Sequence, residues 1–99
     1  MAYRLRYTVP ALADLEDLLS YVTAHSPQGA SHVKARIQAV TELLIEHPRV
    51  GVQTDDPTIR RMTTSPYPYL IFYEVAGGEV IIHAVRHGAR NPSSMPGTQ

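Results

Sequence analysis

The sequence predicts an α+β fold: an antiparallel helical hairpin packed on one face of an antiparallel sheet, in the order β-α-α-β-β-β. Three observations carry that reading. A short alternating segment opens the chain. Two stretches with apolar residues at helical spacing come next. Three strand-like runs follow, the last two separated by Gly77-Gly78.

Residues 3–8 alternate, with Tyr3, Leu5 and Tyr7 on one face and Arg4, Arg6 and Thr8 on the other, which predicts a half-buried strand. Pro10 ends it and suits a first helical turn. Leu12, Leu15, Leu19 and Val22, with Leu18 beside them, recur at helical spacing and predict a helix over 10–25. Asp14, Glu16 and Asp17 come early in it, where carboxylates complement the helix dipole. Ser26-Pro27 reads as a second start, with Ser as N-cap and Pro at the first helical position. Ala30, Val33, Ile37, Val40 and Leu44 then form a stripe that stops at His47-Pro48. The stripe is too short for a coiled coil and reads as core packing.

Residues 48–57 read as a polar, turn-rich loop. Residues 58–63 form a short arginine-bearing strand. Residues 69–76 are apolar on both faces except at Glu74, as a central strand requires, and 79–86 are nearly as apolar. Gly77-Gly78 is a hairpin turn. With three strands after the helices, the first strand would run antiparallel to whichever edge it joins. The expected sheet is therefore all-antiparallel, its strand order left open.

A length of 99 residues suits one domain, here residues 1–92, with 93–99 as a flexible tail. Hydrophobic residues make up 43% and charged residues 18%, a balance that excludes a disordered chain. The absence of cysteine excludes disulfides, thiolate metal sites and a cysteine nucleophile. Five histidines without tight ligand spacing give no reason to assign a metal, and no cofactor is expected. No signal peptide or bilayer-spanning run is visible, so the expected address is the cytoplasm and no membrane partner is assigned. The net charge of zero hides a bias: from 60 to 90, Arg60, Arg61, Arg86 and Arg90 face only Glu74 and Glu79.

Four stretches, in this order and spacing, resemble the ParE/RelE family of toxins from type II toxin–antitoxin systems. They are the opening from Tyr3 to Leu15 with its Ala-x-x-Asp-Leu core, Pro48 to Gly51, Arg60-Arg61 followed by Pro66 to Tyr73, and Ile81 to Pro92 with its His-Gly-Ala-Arg ending. The last stretch is similar to the ParE branch. The resemblance implies a RelE-like fold, growth arrest as the activity, and a cognate, ParD-like antitoxin that wraps the toxin in a hetero-oligomer.

It also implies two targets. A RelE-type toxin cleaves ribosome-bound messenger RNA, which needs cations on the phosphate and an acid and base. Here Arg61, Arg86, His87 and Arg90 would serve, with Tyr67 or Tyr69 orienting a group. A ParE-type toxin poisons DNA gyrase, and Arg60, Arg61, Tyr67, Arg86, His87 and Arg90 would then form a contact surface. The only lysine is Lys34, on the second helix, whereas the RelE pattern places lysines near the scissile phosphate. That departure favours the ParE branch and a toxin that is not itself an enzyme. A non-toxic, antitoxin-binding relic is a third reading. Leu12, Leu15, Leu19 and Tyr21 are candidate walls of the antitoxin groove, though the leucines equally suit the toxin's own core. Arg60 or Arg61 could instead pair with Glu74 or Glu79, and His83 reads as a packed, hydrogen-bonded histidine.

Overall fold

In a computed structural model describing residues 2–88, the elements are β1 (Arg4–Tyr7), α1 (Val9–His25), α2 (Pro27–Glu46), β2 (Val52–Gln53), β3 (Arg60–Thr64), β4 (Tyr67–Ala76) and β5 (Glu79–His87). The expected tail, 93–99, and Arg90 lie outside the described residues. The α+β class holds, with two helices on a mostly antiparallel sheet.

Local chemistry accounts for the helix ends. The Thr8 hydroxyl accepts the Ala11 N–H at 3.2 Å and caps α1, and Ser26 Oγ accepts the Gly29 N–H at 3.0 Å and caps α2. Ser26 also closes α1, its N–H donating to the Val22 carbonyl at 2.7 Å. One residue thus ends one helix and starts the next, which forces a tight hairpin. The first turn of α1 holds no acidic residue, so Asp14 does not serve the dipole as expected; it has another use, described below.

The sheet order is β1-β5-β4-β3-β2. The all-antiparallel expectation fails at one pair: β1 runs parallel to β5, with Leu5 opposite Val80 and Tyr7 opposite Ile82. The cause is β2, a strand within the stretch read as loop. It pairs antiparallel with β3, Val52 against Arg61. One additional reversal before the meander inverts every later strand, so β5 ends up parallel to β1. The reversal is built by Thr54 and Asp56. Thr54 bonds the Ile59 carbonyl through both its N–H and its hydroxyl, and Asp56 Oδ1 accepts the Thr58 N–H at 2.9 Å and its hydroxyl at 2.7 Å. The same two bonds hold the Asp56 carboxyl below its ordinary pKa.

The α2 stripe is core: Val33, Ile37, Val40 and Leu44 are buried against Ile71, Tyr73, Val80, Ile82 and Val85. Full burial of such a side chain stabilises by about 1.5–3 kcal/mol. From α1, Ala11 is fully buried, while Leu15, Leu18, Leu19 and Val22 are half-buried against the same core. On the other sheet face Ile59, Phe72 and Ala84 form a smaller cluster. Gly77 and Gly78 turn the β4–β5 hairpin with φ of 59° and 76°, values that favour glycine.

His83 does not share its face with Val85, as simple alternation predicts. Pairing steps from Phe72↔Ala84 to Tyr73↔Ile82, leaving His83 as the extra residue of a bulge. The bulge lets both Ile82 and Val85 reach the helix-covered core. His83 Nε2 lies 2.8 Å from Glu74 Oε1, in the hydrogen-bonded setting expected of it.

Candidate functional site

β1 stops opposite Ile82, so the second half of β5, from His83 to His87, presents an edge that β1 does not cover. The middle of α1 lies beside it, and a groove of about 570 Å³ opens between them. One wall is a single face of α1, Asp14, Asp17, Leu18 and Tyr21, at helical spacing. The other comprises Tyr69 of β4 with Val85, Arg86 and His87 of β5.

Asp14 joins the two walls. Its Oδ2 accepts the Val85 N–H at 3.1 Å, satisfying a strand-edge donor that β1 does not reach, and lies 3.6 Å from Arg86 Nε. That Nε is buried and has no hydrogen-bond acceptor among the described residues. Aromatic pairs flank the groove. Tyr69 meets the His87 ring edge-on at 5.6 Å, and Tyr21 lies 4.5 Å from the His25 ring, whose Nδ1 is 2.9 Å from the Tyr21 carbonyl.

The groove therefore unites residues expected in separate roles: Tyr21 from the antitoxin set, Arg86 and His87 from the target set. The remaining candidates lie elsewhere. Leu15 and Leu19 pack into the chain's own core; Leu12 is 44% exposed but does not line the groove. Tyr67 packs against the core. Arg61 is half-buried on the helix-free face, opposite Phe72. Asp14, Asp17 and Leu18 were not foreseen as site residues; the only signal for Asp14 was its place in the Ala-x-x-Asp motif.

Arg60 is committed to a structural clamp. Its guanidinium donates to the carbonyls of Gly51 at 2.9 Å and Arg49 at 3.2 Å. The fully buried Tyr73 completes the clamp, its hydroxyl donating to the Pro48 carbonyl at 2.7 Å and accepting the Gly51 N–H at 3.0 Å. Among the described residues the alternative arginine pairs do not form: Glu74 meets His83, and Glu79 meets Arg6 at 3.3 Å.

Burial raises the Tyr73 pKa above 10.0, opposed by the Gly51 bond and by Arg60 and Arg49. Burial raises that of Tyr7 likewise. A phenol harder to ionise in the folded state contributes stability below its unfolded pKa and loses it as pH rises through the folded one. The urea midpoint should therefore fall above pH 10. Tyr73→Phe should fall less steeply, so its deficit against the parent narrows in alkali. A deficit constant across this range would contradict the assignment.

Comparison with known proteins agrees with this architecture. The family described as ParE toxin of type II toxin–antitoxin system, parDE, matches residues 5–92. Toxin RelE2 of Caulobacter vibrioides is 37% identical over 84 residues, spanning 85% of this chain and 93% of its own. A chain from the chromosomal ParDE toxin–antitoxin system of P. aeruginosa superposes with a TM-score of 0.73 at 24% identity, covering 87% of this chain and 96% of that one, a likeness of fold.

Proposed function

The chain belongs to the ParE toxin family of type II toxin–antitoxin systems, and from that premise we propose that it arrests growth in the cytoplasm by inhibiting DNA gyrase until a cognate, ParD-like antitoxin covers it. One observation carries the choice of target. The groove that gathers Arg86 and His87 also holds the carboxylates of Asp14 and Asp17. A carboxylate 3.6 Å from the arginine that would clamp a phosphate opposes that phosphate. Arg60 is engaged by loop carbonyls, and the only lysine sits on α2. What remains is aromatic, apolar and of mixed charge, the composition of a protein-binding surface. No helix among the described residues is long and apolar enough to cross a membrane.

The RelE-like reading keeps one supporting observation. Register puts Arg61 beside Phe72, on the same sheet face as the His83–Glu74 pair. Two assays separate the readings. The purified chain should block gyrase supercoiling of relaxed plasmid, and primer extension on ribosome-bound messenger RNA should give no codon-positioned stops. Stops together with normal supercoiling would reverse the assignment.

A further inference from the structure

The charge and shape of the groove specify more than a generic protein partner. Asp14 and Arg86 face each other at 3.6 Å and cancel. Asp17 makes no ion pair among the described residues, so the groove keeps an unpaired carboxylate. Beside it on α1 stands Tyr21, 66% exposed, and Tyr69 lies across the groove. An exposed tyrosine ring, an opposed tyrosine and a free carboxylate suit a flat, weakly hydrated cation, which stacks on the rings and presents paired N–H donors to the acid. An acidic segment is disfavoured because the unpaired Asp17 carboxylate would repel it.

We propose that this groove seats an arginine side chain of the antitoxin's wrapping segment, its guanidinium against Tyr21 and Tyr69 and paired with Asp17. The proposal rests on the reading above, in which an antitoxin neutralises the chain. It adds a mechanism of neutralisation. An arginine seated there covers Arg86 and His87, so antitoxin and target compete for one surface. Since the Asp14–Arg86 pair already cancels, the incoming cation meets Asp17 without having to displace an internal partner.

The probes are N-acetyl-arginine methylamide and its neutral isostere N-acetyl-citrulline methylamide, titrated against the full chain by NMR. The arginine probe should shift the Tyr21 and Tyr69 ring resonances saturably and bind about tenfold more tightly than citrulline, the scale of a hydrogen bond to a charged group. Asp17→Asn, at an exposed helix position, should bring the two probes to equal affinity. Equal binding by the parent chain, an unchanged preference in Asp17→Asn, or shifts confined to the face bearing Arg61 would overturn the proposal. Growth assays read the toxin assignment separately. A toxic chain with no arginine preference sinks only the groove proposal. A chain that prefers arginine but leaves growth unaffected sinks only the toxin assignment.

Discussion

A chain carrying Arg86→Ala and Arg90→Ala is expected to be made in soluble, folded form and to leave growth unaffected. Arg86 is the cation of the groove, and Arg90 follows two residues beyond Gly88 in the motif that resembles the ParE branch. The fold should tolerate the loss. The Arg86–Asp14 pair is partly exposed, at 30% and 22%, and long at 3.6 Å. A pair so screened contributes at most about 1 kcal/mol. Asp14 retains its bond from the Val85 N–H, and removing Arg86 also removes a buried Nε with no acceptor among the described residues. Antitoxin binding should persist, because the groove becomes more negative. The measurements are colony counts on induction, a thermal melt and co-purification with antitoxin. A double variant that melts normally, binds antitoxin and still arrests growth would move the active surface to Arg61 and the open sheet face.

The largest stability change is expected at Gly51. A Cβ there would stand 2.5 Å from the Tyr73 hydroxyl oxygen, 2.8 Å from its ring and 2.9 Å from the Arg61 carbonyl. Two of these are a buried ring and backbone, neither able to retreat cheaply. Overpacking of this kind costs about 1–3 kcal/mol, and the displaced hydroxyl would also release the Gly51 N–H and the Pro48 carbonyl. Gly51→Ala should therefore lower the melting temperature by about 4–8 °C for each kcal/mol lost. Tyr73→Phe strands the same two groups and should cost about 1–3 kcal/mol. The double variant should cost less than the sum, since the nearest clash disappears with the hydroxyl and one hydrogen bond cannot be lost twice. Strict additivity in a urea-denaturation cycle would show that the two residues do not act through one clamp.

The clamp illustrates what the sequence could and could not reveal. Pro48 to Gly51, Arg60 and the run ending at Tyr73 were recognisable as motif stretches, but their purpose depends on a loop path that no periodicity encodes. Arg60 consequently read as a surface cation when it bonds two loop carbonyls. The helices were legible because capping and apolar spacing are local, as with Thr8, Ser26 and the Val33–Leu44 stripe. The β4–β5 hairpin was legible from its two glycines. β2 was not, because two residues cannot display alternation, and missing it reversed the expected direction of β5 relative to β1. The His83 bulge shifts strand parity without any change in composition. At the groove, Tyr21, Arg86 and His87 were marked by type and position. Asp14 was not, since its function rests on a bond to a residue 71 positions away.

The most direct test of the account is expression of this chain alone in a bacterium, under a tight promoter, with growth followed after induction. Prompt arrest, relieved when a cognate antitoxin is produced with it, is the predicted result. Undiminished growth in cells shown to contain the soluble, folded chain would contradict it, and would leave a domain that keeps the toxin fold without the toxicity.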